Sequence, residues 1–106
     1  MSRAAPATDV FSAVAEPRRR DILVYLAPRP RAVGDIVARF GLPQPSVSKH
    51  LKVLRGAGLV RAARDGRHVY YQAESEAIRP IRDWAGVFER YWRHQLARVK
   101  DRAEGA

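Results

Sequence analysis

A chain of 106 residues that is 46% hydrophobic accommodates one small domain with a modest core. It has no cysteine, which excludes disulfides, zinc fingers and thiol redox chemistry, and its longest purely apolar run, Ile22 to Ala27, is far too short to span a membrane. The net charge is +9, and the bases outnumber the acids most strongly in residues 41–72, where six bases (Lys49, Lys52, Arg55, Arg61, Arg64, Arg67) face only Asp65. Such a local excess is the electrostatic footprint of a nucleic-acid contact surface.

Residues 1–7 read as a frayed, disordered arm, with one domain over 8–103. Asp9 interrupts the first weakly apolar stretch, so no secretory leader is expected and the chain reads as soluble and cytoplasmic. Thr8 or Asp9 can cap a short helix that presents Val10, Phe11 and Val14 on one side. Glu16-Pro17 breaks that helix, and Pro17 suits the first turn of a second, over 17–27, with Ile22, Leu23, Tyr25 and Leu26 on its inner face. Pro28 and Pro30 make a rigid connection. Ala32-Val33 suggests a short edge strand before a third helix, 33–40, whose core residues are Ile36, Val37 and Phe40 and whose left-handed stop is Gly41.

A fourth helix starts between Pro43 and Pro45 and ends near Arg55, with Gly56 and Gly58 as terminators. Around its axis Val47, His50, Leu51 and Leu54 fall within about 60° of one direction, the buried side. Pro45, Ser48, Lys49 and Lys52 point away, Ser46 lies at the outward margin, and Gln44 is the first or cap residue. Glutamine bonds adenine bidentately, serine serves either base class, and lysine reaches guanine or a phosphate. Gln44, Ser46, Ser48 and Lys49 are therefore the candidate base-edge contacts, with Lys52 and Arg55 placed for phosphates. His50 can read a base or pack beside the core; the same geometry favours packing.

Leu59–Arg64 and His68–Ala73 form a β-hairpin joined at Asp65-Gly66, with Arg64, Arg67 and His68 flanking the turn. An arginine at such a tip enters a narrow minor groove or touches backbone phosphates; both roles suit these residues. Tyr70 and Tyr71 point to opposite faces, one into the core and one out. A last helix runs from Ile78 or Pro80 to about Ala103. Its apolar positions, which include Trp84, Phe88, Tyr91, Trp92, Leu96 and Val99, continue for more turns than a small core needs. A second copy of the same helix, packed with the first helix, is the expected partner; lining an effector pocket is the other use of those aromatics.

A polar-faced helix followed by a basic ribbon makes a mainly α fold with a small β-hairpin wing, a winged helix-turn-helix, and hence a binder of double-stranded DNA. The most specific segments are EPRRRDIL at 16–23, QPSVSKHLKVLRGAGLV at 44–60 and RDGRHVYY at 64–71. In that order and spacing the chain resembles the ArsR family of small bacterial winged-helix repressors over roughly residues 9–100. The resemblance implies a homodimer joined through its first and last helices, bound to a pseudo-palindromic operator and blocking transcription. The family's metal-sensing chemistry does not carry over. Its Cys-X-Cys pair aligns with Ala32 and Gly34, and of its second site only Asp83 matches, with Ala85, Leu96 and Val99 where three more ligands belong. One carboxylate does not retain a metal, so neither metal nor other cofactor is expected. The family also commonly has a capping serine where Pro43 stands.

Two other functions compete. A weakly specific architectural DNA-binding protein would use the same charge but has no need of Gln44, Ser46 and Ser48. An enzyme would need a nucleophile–base pair or a phosphate-binding glycine loop; His50, His68 and His94 lie on separate elements and no such set appears. A small-molecule or protein effector is compatible with the repressor reading, and nothing in the sequence names one.

Overall fold

A computed structural model of the chain describes residues 9–105. The arm expected at 1–7, and Thr8 as an alternative cap, lie outside the described residues. The elements run α1 (Val10–Ala13), α2 (Pro17–Leu26), β1 (Arg31–Ala32), α3 (Val33–Phe40), α4 (Gln44–Gly56), β2 (Val60–Asp65), β3 (His68–Ala73) and α5 (Arg79–Gly105), with a 3₁₀ turn at Ser75–Ile78 before α5. This is the mainly helical fold with a basic hairpin that the sequence predicts.

The short α1 is held from both ends. The Asp9 carboxylate accepts from the Ser12 N–H at 2.8 Å, the expected N-cap. At the other end Arg19 donates to the Ala13 and Ser12 carbonyls (2.6 and 3.2 Å), and Arg20 donates to the Val14 carbonyl at 2.7 Å. Guanidinium groups thus satisfy carbonyls that a four-residue helix cannot pair internally. This explains two of the three consecutive arginines as structural.

Helices α2, α3 and α4 enclose a core of Ile22, Leu23, Leu26, Ile36, Val47, Leu51 and Leu54, closed below by Leu59 and Val60. Tyr25, Val37 and Phe40, expected inside, are half-buried and pack on the rim of that cluster. Gly41 adopts φ 65° and donates to the Val37 carbonyl at 2.8 Å, so it stops α3 as expected. At the end of α4 the termination differs from the sequence reading. Gly56 is still helical, and Gly58, at φ 78°, makes the stop alone. Its N–H bonds the Arg55 carbonyl and the Leu59 N–H bonds the Leu54 carbonyl, both at 2.9 Å. That pair of bonds, with Leu54 and Leu59 in the core, is a Schellman closure.

The sheet has strand order β1-β3-β2, all antiparallel. The edge strand is Arg31–Ala32, one residue earlier than expected, because Val33 begins α3. The hairpin turn also shifts by one residue. Asp65 pairs with His68, leaving Gly66-Arg67 as the two-residue loop. Gly66 has φ 65° while Arg67, like every non-glycine among the described residues, has negative φ. Glycine leading a two-residue turn matches the right-handed twist of the flanking strands. The shift places Arg67 at the tip itself. Of the two tyrosines, Tyr71 packs on the core and Tyr70 lies on the opposite face, 6.2 Å from the His68 ring.

Helix α5 departs from a compact shape. The radius of gyration is 18.6 Å, against about 13 Å for a compact chain of this length. Every described side chain from residue 87 to 103 is exposed. No helix among the described residues is long and apolar enough to cross a membrane.

Candidate nucleic-acid interface

The sharp turn at Gly41, Leu42 and Pro43 sets α4 across α3, and Pro43 is its N-cap, with Gln44 the first helical residue. Proline has no side-chain acceptor, but its carbonyl receives the N–H groups of Ser46 and Val47 at 3.0 and 3.2 Å. A missing side-chain cap costs about 1 kcal/mol. Pro43 and Pro45 offset part of this by restricting the unfolded chain. Pro45 has no N–H, so among the first-turn residues Gln44, Pro45, Ser46 and Val47 only the Gln44 N–H has no acceptor among the described residues.

The buried stripe of α4 is Val47, Leu51 and Leu54, as the 3.6-residue period requires. Gln44, Ser48, Lys49, Lys52 and Arg55 are exposed and Ser46 is half-buried. On the wing Arg64, Arg67 and His68 are all exposed. The bases of this face are mostly without an acidic partner. The described salt bridges are Arg18–Asp21, Arg61–Glu74, Arg79–Glu76, Arg82–Asp83 and Arg93–Glu89. Lys49, Lys52, Arg55, Arg64 and Arg67 form none with any described residue. Of the six bases in 41–72, only Arg61 has an acidic partner, Glu74 at 3.8 Å. Five unpaired cations on a helix and an adjoining ribbon project a positive field that polyanion binding would neutralise.

His50 sits half-buried where α4 meets α2. Burial pushes its imidazole below the ordinary value of 6.5; Arg19, Arg18 and Lys49 push the same way and Glu16 opposes them. It therefore packs between elements, beside the exposed face of α4. The unfolded chain takes up a proton first as pH falls through 6.5, so stability is lost from there down to the lower folded-state value. The denaturant midpoint should drop between pH 7.5 and 5.5, and His50→Gln should reduce that drop. An equal drop in the variant would assign it to other groups.

The dimerisation candidates, Val10 and Val14 excepted, form one strip. Phe11 of α1 meets Trp84 of α5 edge-on at 6.1 Å, and Trp84 meets Phe88 at 5.2 Å. Val10 and Val14 are half-buried against their own core, so Phe11 is the exposed apolar side chain of α1. Beyond Phe88 the strip continues through Tyr91, Trp92, Leu96 and Val99, all of them more than half exposed. Val87, which the periodicity did not single out, lies beside it.

This geometry agrees with what known proteins show. Residues 16–62 match the family described as "Bacterial regulatory protein, arsR family". The chain is 33% identical to the transcriptional repressor SdpR of Bacillus subtilis over 76 residues, covering 72% of this chain and 84% of that repressor. The chain belongs to the ArsR family. A second relative of this ArsR-family chain is the transcriptional regulator KmtR of Mycobacterium tuberculosis, 41% identical over 73 residues. That match covers 69% of this chain but only 56% of KmtR. Among solved structures, the homodimeric winged helix-turn-helix DNA-binding domain of a Mycobacterium bovis protein, described as a possible ArsR-family transcriptional regulator, superposes with a TM-score of 0.64. It is 32% identical over 80% of each chain. The fold is thus the family's winged helix-turn-helix, in which α3 and α4 are the helix-turn-helix and β2–β3 the wing.

Within this ArsR-family fold, the positions of the family's metal sites hold other chemistry. Ala32 lies on the edge strand and Gly34 at the start of α3, and Asp83 is ion-paired with Arg82 at 3.0 Å. No group of three or more His, Asp or Glu among the described residues is disposed to hold a metal ion.

Proposed function

We propose that this ArsR-family chain is a homodimeric, sequence-specific transcriptional repressor that acts in the cytoplasm on a pseudo-palindromic operator. Gln44, Ser46, Ser48 and Lys49 read base edges; Lys52 and Arg55 hold phosphates; Arg64, Arg67 and His68 carry the wing onto the flanking duplex. The observation that carries this reading is the set of exposed, unpaired cations along α4 and the wing, beside the polar side chains of the α4 tip. Joined through α1 and α5, two protomers present two such tips to major grooves one turn apart, roughly 34–36 Å. The signal that releases DNA is not a metal held by thiolates or by the α5 positions, since the chain has no cysteine and only Asp83 of that ligand set.

Footprinting and quantitative competition test the proposal. The dimer should protect two half-sites, and with some six to ten phosphate contacts its affinity should fall steeply with salt. Lys52→Ala should weaken all sequences alike and lower the salt slope by about one, while Gln44→Ala should relax preference at one position per half-site. If both variants shift all sequences equally, the division between reading and holding is wrong. A preference over random DNA of less than about tenfold would make the chain an architectural coat instead, because specific readers typically exceed about 10³.

A further inference from the structure

On the side of α2 that meets α3 and β1, away from the aromatic strip of α5, a cleft of about 540 Å³ is lined by Arg18, Asp21, Tyr25, Arg31, Arg39 and Phe40, with Val24 and Pro28 on its rim. Its volume falls within the range of small-molecule pockets. Arginines and aromatic rings alternate through it. The Arg31 guanidinium carbon stands 4.0 Å over the Tyr25 ring, and that of Arg39 lies 5.0 Å from the Phe40 centroid and 5.8 Å from Tyr25. Arg18 lies 5.9 Å from Phe40, and the two rings meet edge-on at 5.6 Å.

The charge of this cleft is unbalanced. Three guanidinium groups share one carboxylate, Asp21, whose contact with Arg18 is a long 4.0 Å. Arg31 and Arg39 form no ion pair with any described residue. The β1–β3 register, with Arg31 opposite Tyr71, turns the Arg31 side chain inward, and its Nε–H is shut off from water without an acceptor. The rest of that guanidinium makes no hydrogen bond to any described residue, and the Tyr25 ring face is what the chain offers its charge.

We propose that this cleft binds a small aromatic carboxylate of one or two rings. The carboxylate takes the forked N–H groups of Arg31 and Arg39, for which its planar geometry is matched. The ring lies against Tyr25 and Phe40, whose edges and faces favour another aromatic group over an aliphatic one. Inorganic phosphate would satisfy the charge but leave the rings and the apolar rim uncovered. The site does not depend on the repressor reading. Its position bears on it nonetheless, because Arg39 and Phe40 are the last residues of α3 and only Gly41, Leu42 and Pro43 separate them from Gln44.

Titration of the full chain with 2-naphthoate, followed through backbone amide shifts, tests the site. Saturable shifts should centre on Tyr25, Arg31, Arg39 and Phe40. Arg39→Gln, at an exposed position that the fold tolerates, should weaken binding about tenfold, as loss of a charge-assisted pair does. Arg98→Gln, exposed on α5, should leave it unchanged. Unchanged affinity in Arg39→Gln, shifts centred instead on Trp84 to Trp92, or equal affinity for inorganic phosphate would each overturn the proposal. So would a fall of about one in the DNA salt slope of Arg39→Gln, which would make duplex phosphate the occupant.

Discussion

Trp92→Asp should convert the protein into a folded monomer and lower its affinity for a two-half-site operator by a factor of roughly 10²–10⁴, the span by which linked binding units exceed either alone. Trp92 is 55% exposed in the protomer, and its neighbours on the strip, Phe88 and Leu96, are 42% and 68% exposed. A monomeric protein rarely leaves a contiguous apolar surface of this length in water. A carboxylate placed in a closed apolar interface would have to be desolvated without a partner, which opposes association strongly. The protomer itself has little to lose, because this stretch of α5 touches none of the core formed by α2, α3 and α4. Sedimentation and circular dichroism separate the two effects: mass should halve while helix content holds. A variant that remains dimeric would remove α5 from the interface. A monomer that still binds the full operator as tightly would show that the protomers do not read DNA as a pair.

Leu54→Ala should destabilise the fold by about 2–5 kcal/mol, a large share of the roughly 5–15 kcal/mol typical of a domain. Leu54 is wholly buried and lies where α4 closes onto β2, with its carbonyl receiving the Leu59 N–H. Truncation leaves a cavity between Leu51, Leu59 and the α2 side chains, and the glycine-based closure at Gly58 gives the backbone little freedom to collapse into it. The urea midpoint reads this directly, and the slope should be unchanged. Since Leu54 faces away from the exposed side of α4, DNA affinity per folded molecule should be retained. A loss below about 1 kcal/mol would mean that the α4–β2 junction repacks freely.

These two residues also show how differently parts of the chain declare themselves. Leu54 is legible from its position in a 3.6-residue period shared with Val47 and Leu51, and its burial followed. The exposed set Ser48, Lys49 and Lys52 comes from the same wheel, and Gln44 from its place at the start of the helix. Glycine at 41 marks a helix end because its left-handed backbone is open to few other residues. The aromatic strip of α5 is visible as surplus apolar surface, although Val87, three residues after Trp84 and four before Tyr91, is not singled out with it. Hydrophobicity alone places Tyr25 and Phe40 inside, and the structure holds them at the rim, with arginines beside them.

Local patterning by itself determined the order of elements, the inner face of each helix and the concentration of charge on α4 and the hairpin. Those properties depend on neighbours within a few positions, which share one turn or one strand. Contacts between segments distant along the chain were decided only by the tertiary structure. Pairing of Asp65 with His68 moved the turn to Gly66-Arg67 and set Arg67 at the tip. The sheet register sent Tyr71 rather than Tyr70 inward, and placed Arg31 over Tyr25. Arg19 and Arg20, indistinguishable from their surface neighbours in sequence, became the clamps of α1 because α2 packs with its first turn beside those carbonyls. An arginine's role depends on which acceptor or ring the fold brings within reach, and no periodicity encodes that distance.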